Sequence, residues 1–354
     1  MTSPAHLLSL ATTVPRFRLD QPEVGERARR IFRDHGSDIT HLLPVYDNAG
    51  IATRYSCVPL DWYAEPHGWK ERTALFLENA GELLRRAAEA SLARAGLPAS
   101  AVDSIVTVTT SGMATPSLEA RLMAELPFRP DVQRLPVVGL GCAGGVLGLA
   151  RAAALARAAP GSHVLLLVVE LCGLTFRNSD TSKSNVVATA LFGDGAAAAL
   201  LSCQGARRGA RGAPEIAGWG EYTWPDSLEV MGWRMEEDSF GVLFSRDIPN
   251  IVRREFGPAV DRFLASQGLT RADLAGAICH PGGAKVIDAL EAALGLPDAA
   301  WDAAREVLRD YGNMSAATVM FVLEKTLARG LRGRHLVSSL GPGFTAGFLL
   351  LEGA

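Results

Sequence analysis

Apolar and polar residues follow one another along the chain in blocks that predict strands and helices in alternation. Short runs that are continuously apolar or rich in β-branched residues are typical of strands buried on both faces. They predict strands at 104–111, 137–141, 164–170, 188–191, 196–201, 274–280, 335–340 and 345–351. Alanine- and leucine-rich stretches bounded by turn residues predict helices at 116–126, 143–158, 248–266, 285–294, 300–311 and 315–329.

This order of elements predicts an α/β protein built from two successive, related halves, 1–205 and 206–354. The two halves meet at a stretch rich in glycine, alanine and arginine, 204–214, which we interpret as a linker or exposed loop. Its basic residues are compatible either with a solvated loop or with a contact to nucleic acid, and the sequence pattern favours the loop.

Composition and charge exclude several classes of protein. Hydrophobic residues make up 48% of the 354 positions, which excludes intrinsic disorder, and a net charge of −3 argues against a dedicated nucleic-acid-binding protein. No apolar run approaches the roughly 20 residues that span a bilayer, and the first residues lack the pattern of a secretory signal. We therefore expect a soluble, cytoplasmic protein without stable membrane insertion.

Cysteine and lysine usage narrows the chemistry further. The five cysteines are scattered and contain no CxxC pair, which argues against a disulfide scaffold or a zinc site and suits a reducing cytoplasm. Because only four lysines occur, we expect arginine to contact any phosphate-bearing ligand.

The segment VGLGCAGGVL, residues 138–147, contains the most informative candidate residue, Cys142. The cysteine lies where a predicted strand turns into a predicted helix and is surrounded by glycines. A helix N-terminus favours the thiolate form of cysteine, so the residue suits an activated nucleophile. A small buried cysteine in a packing contact explains the same segment equally well.

Two residues downstream could assist such a nucleophile. His280 ends an apolar predicted strand, which is where open α/β sheets place functional groups, although a structural turn residue is the simpler interpretation. Asn313 precedes an apolar helix and could donate its amide to an oxyanion, although an N-cap would explain it too.

Five segments, taken in order, resemble the type III polyketide synthases of the chalcone and stilbene synthase family. They are GCAGG (141–145), ALFGDGAAA (190–198), HPGG (280–283), YGNMSAATV (311–319) and GPGF (341–344). The resemblance implies the thiolase-like fold, five layers in the order αβαβα. It also implies an iterative condensing enzyme that works as a homodimer on an acyl-CoA starter and malonyl-CoA, without a metal, flavin or nicotinamide.

The resemblance assigns roles to individual residues. Cys142, His280 and Asn313 correspond to the catalytic cysteine, histidine and asparagine, and Phe192 to the phenylalanine that orients the malonyl group. The second phenylalanine of the entrance corresponds to Phe244, or to Val242 in an ungapped match. Further positions correspond to the cavity wall (Thr110, Thr175 and Ser315), to a cavity residue reaching in from the partner subunit (Thr115) and to a basic residue near the coenzyme A entrance (Arg54).

Two departures from the plant enzymes favour a bacterial type of member. One residue is missing between the cysteine and Ala-Gly-Gly, and Thr115 replaces a methionine. Many bacterial members make alkylresorcinols or alkylpyrones from fatty acyl starters, so we expect a product of this kind.

Two other functions compete with this one. A ketoacyl-ACP synthase III also uses cysteine, histidine and asparagine, but usually carries an HQAN-like segment where this chain reads HPGG. A non-enzymatic scaffold of the same fold would not need all three residues. For the enzyme we expect Cys142 and His280 to share a proton as thiolate and imidazolium, with the thiol pKa lowered toward neutrality.

Overall fold

The structure, a computed structural model, describes residues 3–34, 39–204 and 212–353. Most of the expected linker, residues 205–211, lies outside the described residues, and so does the proposed boundary between the halves. The strands are β1 (Ala5–Thr13), β2 (Phe17–Asp20), β3 (Thr53–Ser56), β4 (Ser104–Thr109), β5 (Gln133–Val138), β6 (His163–Leu171), β7 (Asp194–Ser202), β8 (Glu215–Thr223), β9 (Met231–Met235), β10 (Phe240–Phe244), β11 (Gly276–Cys279), β12 (Gly333–Gly341) and β13 (Thr345–Gly353). The α-helices are α1 (Gln21–Asp34), α2 (Pro44–Asp47), α3 (Trp69–Ala95), α4 (Leu118–Leu122), α5 (Gly144–Ala158), α6 (Lys183–Leu191), α7 (Ile248–Ile251), α8 (Gly257–Ser266), α9 (Ala284–Leu294), α10 (Asp302–Tyr311) and α11 (Thr318–Ala328).

Nine strands form one sheet in the order β11-β12-β13-β8-β1-β7-β6-β4-β5. Its two parts follow the same pattern, since β1-β7-β6-β4 and β8-β13-β12-β11 each contain two antiparallel pairings followed by a parallel one. The parts meet where β1 pairs with β8, at Ala5 with Ile216 and His6 with Glu215. The shared strand pattern agrees with the expectation of two related halves.

The helices pack in layers around these two parts. Helices α5 and α11 lie in the central layer, where their apolar residues form one core cluster with strands of both parts. Helix α3 covers the outer face of the first part, and α8 and α9 cover that of the second. The layers therefore run αβαβα, as predicted. No helix within the described residues is long and apolar enough to cross a membrane.

One predicted strand is wrong. Residues 188–191 form the end of helix α6 rather than a strand. The Ser182 hydroxyl caps this helix by accepting a hydrogen bond from the Asn185 N–H (3.3 Å), which is a helix signal that lies upstream of the apolar run. An apolar run of four residues does not by itself distinguish a buried strand from a buried helix.

Other predicted boundaries shift. The strand expected at 137–141 is β5 and ends at Val138, because Gly139 and Gly141 adopt positive φ angles of 91° and 50° and leave the sheet. The helix expected at 116–126 is shortened to α4. The helix expected at 248–266 is present, but a π-helical turn, Val252–Phe256, separates α7 from α8.

Candidate active site

Cys142 lies in the tight turn between the end of β5 and the start of α5. Glycine is required before it, because a Cβ on Gly141 would lie 2.4 Å from Cδ of Pro342 and the residue has positive φ. The Gly141 N–H donates to Oγ1 of Thr110 (2.9 Å), which fixes the turn from the opposite side. The thiol is therefore held at the N-terminus of α5, as the sequence predicted.

The structure brings Cys142, His280 and Asn313 together, since all three line one cavity with an empty volume of about 410 Å³. Their exposed fractions are 6%, 4% and 1%, so the three side chains are shielded from solvent. Phe244 and Met231 of the β9–β10 hairpin form part of its apolar wall. Residues as far as 171 positions apart along the chain thus share a space in which a thioester could meet all three.

His280 follows the last residue of β11, and its N–H donates to the carbonyl of Ser338 (2.9 Å). Both ring nitrogens are buried and have no hydrogen-bond partner among the residues that the structure describes. A buried imidazole without a partner is unusual, because burial of an unsatisfied polar group costs free energy. The ring is available to accept or donate a proton to a molecule bound in the cavity.

Asn313 has one amide hydrogen left for a ligand. Its Nδ2 donates to the carbonyl of Gly282 (3.1 Å), and its Oδ1 accepts from the Ser315 N–H (2.9 Å). The second contact resembles the turn-capping role that the sequence left open, and the first orients the amide toward the loop that follows His280. Both interpretations of Asn313 are therefore compatible with its geometry.

Burial acts against the expected ion pair. Burial raises the pKa of the Cys142 thiol to about 12; a hydrogen bond with Ser315 lowers it and the Glu170 carboxyl raises it. Burial also lowers the pKa of the His280 imidazole to about 3. Desolvation of both side chains therefore favours a thiol and a neutral imidazole over the charged pair.

Glu170 is a site residue that the sequence reasoning missed. It ends the apolar part of β6, is completely buried, and accepts hydrogen bonds from the N–H groups of Thr110 (3.0 Å) and Ser111 (2.9 Å). Burial raises its pKa to about 7, against these hydrogen bonds and one with Ser315. The sequence does contain an indication of this role, because Glu170 follows a run of apolar residues that predicts a buried strand. A carboxylate buried at the end of such a strand requires hydrogen-bond donors from other segments.

Thr110 and Ser315 have contacts that differ from a simple cavity wall. Thr110 supports the turn before Cys142 through Gly141, and the Ser315 N–H donates to Oδ1 of Asn313 (2.9 Å). Ser315 adopts a positive φ of 47°, which is unusual for a residue with a side chain. Thr110 therefore acts on the turn of the cysteine, and Ser315 acts on Asn313.

Phe192 lies between two cavities. Its ring packs edge-to-face against Phe244 (centroids 6.3 Å apart), which lines the cavity of Cys142, and lies 6.0 Å from the ring of Trp233. Phe192 itself lines a second cavity of about 650 Å³, together with Val242 and Thr175. Of the two alternatives for the second phenylalanine position, Phe244 thus faces the cysteine and Val242 faces the neighbouring cavity.

The second cavity is largely apolar and extends from Phe192 toward helices α1 and α6. Its wall includes Val24, Ala28 and Ile31 of α1 and Cys172 near the end of β6. The Thr175 hydroxyl donates to the carbonyl of Cys172 (2.7 Å), so this polar group is satisfied within the wall. Thr175 lines a cavity, as the resemblance implied.

Arg54 does not occupy the expected surface position. Its side chain is 3% exposed and donates to the carbonyl of Phe192 (2.8 Å) and to Oε1 of Gln21 (2.6 Å). The assignment to the coenzyme A entrance is therefore wrong, because a buried guanidinium bonded in this way cannot reach a phosphate at the surface. Thr115 is exposed on the loop after β4 and reaches no cavity of its own chain that we identify among the described residues.

Within the described residues, no group of three or more histidine, cysteine, aspartate or glutamate side chains is placed to hold a metal ion.

Comparison with known proteins extends over nearly the whole chain. Residues 2–205 match the family model for chalcone and stilbene synthases, N-terminal domain, and residues 221–353 match the one for the C-terminal domain. The chain is 38% identical over 346 residues to 1,3,6,8-tetrahydroxynaphthalene synthase of Streptomyces peucetius subsp. caesius, covering 96% of this chain and 91% of that protein. It is 32% identical over 319 residues to 3,5-dihydroxyphenylacetyl-CoA synthase of Amycolatopsis balhimycina, covering 87% of this chain and 84% of that protein.

The fold leads to the same family. The crystal structure of 1,3,6,8-tetrahydroxynaphthalene synthase from Streptomyces coelicolor A3(2), a bacterial type III polyketide synthase, superposes with a TM-score of 0.92 at 27% identity. The match covers 98% of this chain and 99% of that one. The chain therefore belongs to the chalcone and stilbene synthase family and is a type III polyketide synthase, an acyl-transferring condensing enzyme.

Proposed function

We propose that this enzyme extends an acyl group bound to Cys142 by repeated decarboxylative Claisen condensation with malonyl-CoA, and then cyclises the product. The observation that supports the proposal most is the shared cavity of Cys142, His280 and Asn313, next to a second, apolar cavity behind Phe192. We expect an alkylpyrone, an alkylresorcinol or a related polyketide as the product.

Loading begins from a neutral pair of side chains. As the Cys142 sulfur attacks the carbonyl carbon of an acyl-CoA thioester, its proton passes to His280, whose ring nitrogens have no other partner within the described ranges. The tetrahedral intermediate collapses with loss of the coenzyme A thiolate, which takes the proton back from His280. Because both groups are neutral at rest, the proton transfer accompanies the attack rather than preceding it.

Extension requires donors for a developing negative charge. Malonyl-CoA loses carbon dioxide, and the resulting enolate oxygen accepts hydrogen bonds from His280 and from the free amide hydrogen of Asn313. Loss of one donor of this kind typically costs about 10²–10³ in rate. The enolate carbon then attacks the Cys142 thioester, the cysteine sulfur leaves, and the lengthened chain returns to it for the next round. The ring of Phe192 presents an apolar surface that disfavours the malonyl carboxylate.

The shape of the second cavity favours an apolar starter. Aliphatic side chains of α1 and Phe176 line it, and several of its polar residues are bonded within the protein: the Thr175 hydroxyl donates to a carbonyl, Arg54 donates to Phe192 and Gln21, and Asp194 accepts from the Cys57 and Gly173 N–H groups. A chain of methylene groups gains about 0.8 kcal/mol for each group it buries in such a space. We therefore propose a medium or long fatty acyl-CoA as the starter.

A homodimer is the assembly that we propose. Strand β5 forms one edge of the sheet and pairs with β4 on one side, while Leu135 and Val138 on it are 39% and 53% exposed. An exposed apolar edge strand is a template for pairing with a second copy of the chain. Met113, 57% exposed, and Thr115 lie on the loop that follows β4, where a partner could cover them.

Incubation of the purified enzyme with malonyl-CoA and a series of acyl-CoA thioesters, followed by mass analysis of the products, tests the proposal. Polyketides whose mass follows the length of the starter would support it. Products that appear only with malonyl-ACP would indicate the ketoacyl-ACP synthase III reaction, and a protein that neither becomes acylated nor releases carbon dioxide would indicate a scaffold.

A further inference from the structure

The backbone of Asn313 is paired with the segment that carries Phe192. The Asn313 N–H donates to the carbonyl of Leu191 and the Gly193 N–H donates to the carbonyl of Asn313, both at 2.9 Å, which forms an isolated parallel bridge. The position of the amide donor therefore depends on where the end of α6 and the two residues after it are held.

Arg54 holds this segment from outside the Cys142 cavity, where it lines the second cavity together with Phe192 and Gly193. Its Nη1 donates to the carbonyl of Phe192 (2.8 Å) and its Nη2 to Oε1 of Gln21 (2.6 Å). Gln21 in turn donates to the carbonyl of Ala190 (2.9 Å), so the pair binds two carbonyls at the end of α6. The approach is close, since a Cβ on Gly193 would lie 3.2 Å from the Cβ of Arg54 and 2.7 Å from the carbonyl oxygen of Tyr311.

The guanidinium is charged although it is buried. Burial lowers its pKa to about 10, against the attraction of nearby groups that include Asp194, so Arg54 remains protonated at neutral pH. A charged donor forms stronger hydrogen bonds than a neutral one, and the planar guanidinium reaches two acceptors in fixed directions. An ammonium group would not reproduce that geometry.

Cys142 is held by a different set of contacts. Its turn is fixed by the bond from the Gly141 N–H to Thr110 and by Pro342, and neither contact involves Arg54 or Gln21. The two steps of the reaction therefore depend on different contacts. Acylation depends on the contacts that hold the Cys142 turn, and decarboxylation of malonyl-CoA depends on those that hold Asn313.

We propose that Arg54, with Gln21, is a positioning residue for the malonyl step: it holds the Phe192–Asn313 pairing so that the Asn313 amide meets the enolate oxygen. This inference rests on the proposed function. It accounts for a buried cation that is hydrogen-bonded to Phe192 and Gln21 in the wall of the second cavity, and it predicts that damage to Arg54 falls on decarboxylation and condensation rather than on loading of the cysteine.

The variants Arg54→Met and Arg54→Lys test this, with two rates measured separately. One is acylation of Cys142 by an acyl-CoA, followed by intact mass, and the other is release of carbon dioxide from malonyl-CoA. In Arg54→Met we expect carbon dioxide release to fall about 10- to 100-fold, because a small displacement of a catalytic group can cost about that much, while acylation stays within about 3-fold. Arg54→Lys, which keeps the charge but not the two fixed directions, should fall between wild type and Arg54→Met.

Equal loss of both rates, or unchanged rates, would overturn the proposal. If Arg54→Met does not fold, the same two rates are measured in Gln21→Met, which removes the second acceptor of the guanidinium. We expect a smaller loss of carbon dioxide release than in Arg54→Met, again with little change in the rate of acylation. Arg157→Met is the matched control: this half-buried arginine near the other end of α5 also donates to a backbone carbonyl, that of Ile216 (2.7 Å), and should leave both rates within about 2-fold because it is remote from the cavity.

The wild-type rates test the proposed function independently of the role of Arg54. Wild-type enzyme that becomes acylated at Cys142 and releases carbon dioxide supports the proposed function whatever the Arg54 variants do. Wild-type enzyme that does neither overturns the proposed function and this inference with it.

Discussion

At the scale of single residues, burial decides the charge state of the candidate catalytic pair. The sequence places Cys142 at a helix N-terminus, which favours the thiolate, yet the enclosed cavity raises its pKa to about 12 and lowers that of His280 to about 3. Both shifts have the same cause, because removal from water disfavours the charged form of either group. The neighbourhood of a residue along the chain says little about how much water reaches it in the fold.

This charge state can be measured through alkylation of Cys142 in the free enzyme. We expect the rate of reaction with iodoacetamide to keep rising between pH 6 and pH 10, because the thiolate fraction grows throughout that range when the pKa is about 12. A plateau reached near neutral pH would contradict this and would show a resting thiolate–imidazolium pair. Cys203, which is only partly buried, provides the internal reference for reagent quality when it is followed by peptide mass analysis.

Substitution of Cys142 and of Asn313 should separate loading from decarboxylation. Cys142→Ala is expected to abolish acylation and polyketide formation while it retains release of carbon dioxide, since the enolate donors remain. Asn313→Ala should lower carbon dioxide release about 10²-fold or more, because one of two donors is lost. Cys203→Ala serves as the control for removal of a thiol outside the cavity, and full product formation by Cys142→Ala would rule out the assigned nucleophile.

Glu170 should make stability depend on pH. Its pKa is raised from 4.5 to about 7, so between these values the folded protein binds more protons at this group than the unfolded chain does. The free energy of unfolding contributed by Glu170 therefore falls as pH rises from about 4.5 to about 7, and stays low above that. Relative to wild type, the thermal midpoint of Glu170→Gln should rise progressively over this range; a constant difference between pH 4.5 and pH 8 would contradict the raised pKa.

At the scale of elements, strand β5 contributes both to the position of Cys142 and to the proposed dimer interface. One end leads into the turn of Cys142, and its length forms an exposed edge with apolar side chains. Charged residues on an edge strand discourage pairing between sheets. The same strand would therefore couple assembly of the dimer to the position of the cysteine turn.

The dimer is tested by Leu135→Lys. We expect this variant to shift the protein from dimer to monomer at micromolar concentration, as measured by light scattering after size-exclusion chromatography, because an exposed lysine on β5 must be desolvated on pairing. Leu228→Lys is the matched control, since Leu228 is 75% exposed and lies outside β5. A wild-type monomer, or an unchanged dimer in Leu135→Lys, would argue against this interface.

At the scale of the whole molecule, the central helices join the two parts of the sheet into one folding unit. Leu149 on α5 is 1% exposed and belongs to the core cluster that includes strands from both parts. Each part of the sheet buries one face against the same helices. If one part unfolds and separates from these helices, the apolar side of the helix layer that it covered becomes exposed to water. The cavity of Cys142, which draws residues from both parts, depends on this shared layer.

Leu149→Ala should therefore destabilise the whole chain together. We expect the free energy of unfolding to fall by about 2–5 kcal/mol, with one transition in urea whether it is followed by circular dichroism or by tryptophan fluorescence. The exposed Leu228→Ala variant should change it by less than about 0.5 kcal/mol. Two separate transitions would show that the two parts unfold independently.

What the sequence determined by itself is the local chemistry and its order along the chain. Apolar runs and turn residues predicted most strands and helices, and the motifs around Cys142, His280 and Asn313 pointed to the family because each depends on neighbours only a few residues away. The strand expected at 188–191 failed for the same reason, since so short an apolar run fits helix and strand alike and the cap that decides between them lies upstream.

Tertiary structure alone decided what these groups have around them. The sequence predicted Arg54 to be a basic residue near the coenzyme A entrance. In the fold it is buried and donates hydrogen bonds to Phe192 and Gln21. Glu170 gains its role from donors 60 and 59 residues away, and Cys142 loses its expected charge because water is excluded from a cavity built by distant segments. Desolvation and long-range hydrogen bonding act through space, and a linear pattern of residues does not contain those distances.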